Sequence, residues 1–289
     1  MTEFLIFVIL TVFSTESINV NGLQRRFGLY VPQQDTAKLP VVFVLHGGGG
    51  SIRSIRRMAG WQFEELAEKM KFIVVYPQAY KRHWNDGRGI KKYDSHRLNI
   101  CDVCFINAII DTLEKKYNID TSRIFAAGIS NGGIMAMRLA CDPSSRIKKI
   151  ASLAMLLTDT LTKICRMPHP RGAMFFIGTD DPLVPWQGGH IHFGKRKLGR
   201  VVSYDSTIAF FASNNGCNGR KEVKLSPLVT KIFYTECESG ENTVLYVIKG
   251  GGHTWPGAKS QLPSFIVGKT IRGLRATDTI VRFFLNEKY

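Results

Sequence analysis

The chain alternates short unbroken hydrophobic runs with longer stretches whose apolar positions recur every three or four residues. The unbroken runs are 41–45 (VVFVL), 72–76 (FIVVY), 123–129 (RIFAAGI), 151–157 and 173–177. Each has the length of a strand and is apolar at consecutive positions, as expected of a strand covered on both faces. Residues 25–31 (RRFGLYV), 229–235 and 244–248 add further strands. Between the strands, 58–70 carries Phe63, Leu66 and Met70 at helical spacing, and 103–117 repeats Phe105, Ile109 and Leu113 at four-residue steps. Helices are also predicted from 131 to 141, over 208–213 and over 276–285. The polar stretch 78–99, with Trp84, Asn85 and Gly87, predicts a loop. Buried-type strands alternating with helices predict an α/β fold, a mostly parallel central sheet with helices on both faces. Ligands in such sheets bind at the carboxyl ends of the strands.

No internal repeat, low-complexity tract or linker interrupts this pattern, so one domain is expected over 23–289, preceded by a leader at 1–22. Residues 4–13 (FLIFVILTVF) are too short to span a bilayer and match the core of an export signal. Against a signal, Glu3 is the only charge before the run, and 14–22 (STESINVNG) lacks a clean small-x-small cleavage site. The alternative is that this run is an additional N-terminal strand or the product of a misplaced start codon. No internal stretch reaches 18 apolar residues, so no stable membrane insertion is expected after processing. The six cysteines, an even number, fit up to three disulfides and an oxidising compartment. A secreted or periplasmic location is therefore expected.

Hydrophobic residues make up 44 % of the 289, which excludes a largely disordered chain. Lys and Arg total 39 against 23 Asp and Glu, a net charge of +16 that attracts polyanions. The charge is spread along the chain, and its densest cluster is Lys195, Arg196, Lys197 and Arg200. No zinc-finger, basic-zipper or RNA-binding signature accompanies it, so no specific nucleic-acid partner is expected.

The chemistry begins at Gly128-Ile129-Ser130-Asn131-Gly132, a G-x-S-x-G between a predicted strand and a predicted helix. A tight strand-to-helix turn exposes the serine hydroxyl, and the helix amino end favours negative charge beside it. A serine hydroxyl is a weak nucleophile and needs a base. With this elbow the acid and the histidine follow in the order Ser, Asp or Glu, His. His253 lies in Gly250-Gly251-Gly252-His253-Thr254-Trp255-Pro256, directly after a predicted strand, where a base is expected. His190 and His192 have no strand leading into them, and His169 lies between prolines. The run 173–177 leads into Gly178-Thr179-Asp180-Asp181-Pro182, where either aspartate can orient the imidazole. His46 and Gly47 to Gly50 follow the strand 41–45. Amides of such a loop, with that of Asn131, form an oxyanion hole. A phosphate loop is the rival, but the G-x-G-x-x-G and G-K-[ST] forms are missing. Cys101-x-x-Cys104 and His190-x-His192 are weaker signals. Neither has the companion ligands of a metal site or a redox lead-in strand, so no metal or cofactor is expected.

Taken in order, H-G-G-G-G at 46–50, W-N-D at 84–86, D-V-x-F at 102–105, G-I-S-N-G-G at 128–133, G-T-D-D-P-L-V-P at 178–185 and G-G-G-H-T-W-P-G at 250–257 resemble the polyhydroxybutyrate depolymerase family of esterases. That family also contains feruloyl and acetylxylan esterase-like enzymes. The resemblance covers about 25–286 and implies an α/β-hydrolase that cleaves carboxylic esters through an acyl-enzyme. It implies Ser130 as nucleophile, His253 as base and Asp181, rather than Asp180, as acid. Gly47, Gly48 and Asn131 then bind the oxyanion, and Trp84 and Trp255 are expected to line the substrate pocket. The resemblance also implies a Cys217–Cys237 disulfide and, less directly, Cys141–Cys165. Two departures are Ile177, where histidine is frequent, and Trp186, where tyrosine is. No serine/threonine-rich linker or binding module follows residue 289, which favours a small or soluble ester over a solid polyester. The alternatives are a serine peptidase of the same fold and a non-catalytic polyanion-binding protein on a hydrolase scaffold.

Overall fold

The structure is a computed structural model that describes residues 13–33, 37–258 and 262–287. The strands are β1 (Ser14–Val20), β2 (Leu23–Tyr30), β3 (Leu39–Leu45), β4 (Ile73–Pro77), β5 (Ile119–Ile129), β6 (Lys149–Leu153), β7 (Gly172–Gly178), β8 (Gly189–Phe193), β9 (Arg196–Val201), β10 (Cys217–Ser226), β11 (Val229–Cys237) and β12 (Thr243–Ile248). The helices are α1 (Ile52–Met58), α2 (Gln62–Met70), α3 (Asp94–Arg97), α4 (Asp102–Lys116), α5 (Asn131–Cys141), α6 (Asp159–Ile164), α7 (Tyr204–Asn214), α8 (Ser264–Val267) and α9 (Ala276–Phe284).

Ten strands form one sheet in the order β1-β2-β4-β3-β5-β6-β7-β12-β11-β10. From β4 to β12 every neighbouring pair is parallel, and the flanking strands β1, β2, β11 and β10 are antiparallel. A side chain alternates faces at each residue of a strand, so β3 feeds two cores. Val41, Phe43 and Leu45 join one core, with α4, α5 and α7. Val42 and Val44 join the other, with α1, α2 and α9. The continuous apolar runs are the consequence of this two-sided burial, and the architecture is that of an α/β-hydrolase.

Several expectations are corrected. Residues 1–12, which hold most of the expected export-signal core, lie outside the described residues. The described part of the expected leader is structured: β1 pairs antiparallel with β2 from Ser14–Leu29 to Val20–Leu23. The turn between them is Asn21-Gly22, with φ of 52° and 79°, the two-residue hairpin chemistry in which Asn-Gly is favoured. Strand β1 follows the run 4–13 to which the strand alternative referred, and 4–12 of that run lie outside the described residues. The helix expected over 58–70 starts only at Gln62, as α2, and Met58 ends the separate helix α1, because Gly60 and Trp61 between them both take left-handed backbone, φ 64° and 56°. The run 151–157 is a strand only to Leu153, since the chain turns at Ala154, φ 49°. No strand is predicted to lead into His190 and His192, yet they stand on β8, which forms a separate antiparallel hairpin with β9. Strand β10, mostly exposed and rich in Lys and Arg, escaped the pattern because an edge strand needs no buried run.

Candidate active site

Three strand ends converge on one cavity of about 510 Å³. Strand β5 ends at Ile129, and the next residue, Ser130, begins the turn into α5 with φ 56° and ψ −122°. That conformation is costly for a residue with a side chain and holds only because the surroundings enforce it. A Cβ on Gly128 would lie 2.3 Å from the Gly132 carbonyl oxygen, and one on Gly132 would lie 2.4 Å from that of Leu45. Both glycines of G-x-S-x-G are therefore required by close backbone approach. The Ser130 amide donates to the Leu153 carbonyl at 3.0 Å, and the Ser130 carbonyl accepts from Ile134 at 3.0 Å.

Strand β7 delivers Asp181 and β12 delivers His253. Asp181 Oδ2 lies 2.8 Å from His253 Nδ1. The other carboxylate oxygen accepts the amides of Leu183 at 2.8 Å and Val184 at 2.9 Å. The side chains of Asp181 and His253 are 2 % and 9 % exposed, respectively. A carboxylate at Nδ1 fixes the tautomer with Nδ1–H donating, which leaves Nε2 as the basic nitrogen. Ser130 and His253 both line the cavity. Asp180, by contrast, is exposed and accepts from the Thr179 hydroxyl at 2.8 Å. It is the turn residue of the pair.

Gly47, Gly48 and Asn131 also line the cavity. The Gly49 amide donates to Arg82 and the Gly50 amide to Gly47, both at 2.9 Å. Asn131 opens α5, and a helix has no internal acceptor for the first amide. Its side chain is clamped: Oδ1 accepts the Trp84 amide at 2.9 Å, and Nδ2 donates to Asp86 Oδ2 at 2.5 Å. Asp86 is fully buried and also pairs with Arg88 at 2.8 Å. His46 is 1 % exposed, with Nδ1 2.7 Å from the Gly47 carbonyl and Nε2 accepting the Ala79 amide at 3.1 Å. Burial pushes its pKa down to about 4, so the ring is neutral and braces the glycine loop.

The two tryptophans are corrected. Trp84 is fully buried and donates Nε1–H to the His46 carbonyl at 2.8 Å. Trp255 is 2 % exposed, belongs to the core beside α2 and α9, and donates to Thr277 Oγ1 at 3.0 Å. Neither lines the cavity. A buried indole needs a partner for its N–H, and each finds one in the scaffold. Of the two departures, Ile177 is buried in the core and Trp186 stacks on Tyr204, with centroids 4.2 Å apart.

The cavity wall instead uses residues whose role the sequence did not disclose. Met58, Met155, Leu183, Ile191 and Leu198 supply apolar surface, and His83, Arg88, Lys92, His192 and Arg196 supply nitrogen. Arg196 belongs to the basic cluster noted in the sequence, but nothing along the chain places that cluster at the site. His190 and His192 stand on β8, and only His192 lines the cavity. Disulfides join Cys217 to Cys237, Cys141 to Cys165 and Cys101 to Cys104. The last, at the N-terminus of α4, was not required by the resemblance.

Residues 25–157 match the family described as "Esterase PHB depolymerase". The NocK protein of Nocardia uniformis subsp. tsuyamanensis, named as an esterase, is 29 % identical over 85 % of this chain and 74 % of its own. Feruloyl esterase D of Neurospora crassa is 25 % identical over 83 % of this chain and 77 % of its own. Among solved structures, an acetyl xylan esterase from Aspergillus awamori superposes with a TM-score of 0.60 at 15 % identity. It covers 83 % of this chain and 94 % of that one, and shares the α/β-hydrolase fold.

Proposed function

We propose that this chain, a relative of the polyhydroxybutyrate depolymerase-type esterases, hydrolyses carboxylic esters through an acyl-enzyme on Ser130. Ser130 Oγ attacks the ester carbonyl while His253 Nε2 takes its proton. The tetrahedral oxyanion is held by backbone N–H groups of Asn131 and the 47–48 region. His253 then gives the proton to the leaving alcohol, and the acyl group stays on Ser130. Water, deprotonated by the same imidazole, attacks the acyl carbon and releases the acid. Asp181 keeps the tautomer and stabilises the imidazolium. None of these steps draws on a cofactor or a metal.

The single observation that carries this assignment is the Asp181–His253 bond at 2.8 Å, set beside a serine held at φ 56° on the same cavity. The substrate classes proposed are hydroxyalkanoate oligomers and feruloyl or acetyl esters of polysaccharides. Three disulfides fit an extracellular or periplasmic setting. Ser130→Ala, compared with wild type on p-nitrophenyl acetate and butyrate, tests the mechanism. A loss of about a thousandfold or more in kcat is expected. A mutant that keeps most of its activity overturns it. A fluorophosphonate probe is expected to label wild type and not the mutant. A peptide panel run beside the esters separates esterase from peptidase action.

A further inference from the structure

We propose that the site selects esters that also carry a free carboxylate, held by Lys92 and Arg196. This rests on the esterase assignment and narrows its substrate class. Among the described residues, the cavity wall includes Lys92, Arg196, Arg88 and three histidines, and no aspartate or glutamate. The nearby carboxylates are already engaged. Asp86 is bound by Arg88 and Asn131, and Asp94 by Lys81 and Arg97. Asp159 is bound by Arg200 and Asp181 by His253. Arg88 is itself spent, on Asp86 and on the Leu198 carbonyl at 2.9 Å. Lys92 and Arg196 are exposed and have no carboxylate partner among the described residues.

Two uncompensated cations beside a partly apolar wall attract an anion and cost little to leave solvated between turnovers. The fold gives Arg196 a fixed platform. Strands β8 and β9 are tied to the body by Arg88 on Leu198 and by the His192 amide on the Leu183 carbonyl at 2.8 Å. A bridge from Val201 to Thr158 adds a third tie. A planar guanidinium suits a carboxylate better than a neutral sugar or an alkyl chain. Soluble hydroxyalkanoate oligomers end in such a group, whereas an acetylated neutral sugar does not.

The test uses two matched pairs on the full chain. For a carboxylate on the acyl side, 4-nitrophenyl hydrogen glutarate is compared with 4-nitrophenyl valerate. For a carboxylate on the alcohol side, 3-acetoxybutyrate is compared with 3-acetoxybutyramide. In at least one pair, kcat/KM is expected to favour the anion by about tenfold at low salt. The ratio should shrink when ionic strength rises to about 0.5 M, where exposed charges are screened. In Lys92→Gln/Arg196→Gln the ratio should fall at least about fivefold, and Lys92→Glu/Arg196→Glu should invert it. A ratio near one in both pairs, unmoved by salt or substitution while Ser130-dependent turnover persists, overturns the carboxylate inference and leaves the esterase assignment standing. If none of the four esters is hydrolysed while p-nitrophenyl butyrate is, this inference falls alone; if p-nitrophenyl acetate and butyrate are also left intact, the esterase assignment falls and takes this inference with it.

Discussion

Asp181 holds His253 by a single 2.8 Å bond to Nδ1, and is itself held by the amides of Leu183 and Val184 through its other oxygen. The two residues are 72 positions apart. The carboxylate has little freedom to leave the imidazole, because the turn after β7 supplies two donors that fix it.

Replacing that carboxylate by an amide keeps its shape but permits the wrong imidazole tautomer. Asp181→Asn is expected to lower kcat by about ten-thousandfold with little change in KM. Steady-state kinetics on p-nitrophenyl butyrate, with circular dichroism to confirm folding, checks this.

Asp86 bonds the side chain of Asn131, whose amide is proposed to bind the oxyanion. Asp86→Ala leaves Arg88 and Asn131 without their buried acceptor. A stability loss of about 3 kcal/mol is expected from the orphaned charge. Below the melting temperature, kcat should fall by about tenfold or more, with a smaller change in KM. An equal loss in a variant aimed at a part-buried pair outside this clamp, Glu64→Ala beside Arg56, would instead mark a purely structural role.

Trp255 packs in the core and not at the cavity. Trp255→Phe removes its bond to Thr277 and should cost about 1 kcal/mol in urea denaturation. Its kcat/KM on p-nitrophenyl butyrate should stay within about twofold of wild type. A tenfold drop would return this indole to the substrate pocket.

His46 should make the fold acid-sensitive. Burial lowers its pKa from 6.5 to about 4 in the native state, so between those values the unfolded chain binds a proton that the native chain does not. Stability from this group is therefore complete above pH 6.5 and declines as pH falls toward 4, by roughly 3 kcal/mol over the window. Urea midpoints at several pH values should show a shallower decline in His46→Gln than in wild type. His83 and His96, also lowered by burial, act in the same direction and remain in both proteins.

The central strands, α4 and the elbow serine were legible because their signals are local. A strand buried on both faces must be apolar throughout, and a tight elbow must have glycines two before and two after its serine. The strand β1, the hairpin of β8 and β9 and the edge strand β10 were not legible, because solvated strands show no apolar run. The Asn21-Gly22 turn was the one available sign of β1.

Sequence by itself determined the α/β class and pointed to the residues proposed to carry acyl transfer, since these follow from periodicity and from motifs a few residues long. Only the tertiary structure decided that Trp84 and Trp255 face the scaffold, that Asp86 clamps Asn131, and that Lys92 and Arg196 share a cavity with Ser130. These are relations between side chains brought together by the sheet order. Which indole meets a buried acceptor and which cation meets open space is fixed by packing, and no local pattern along the chain encodes it.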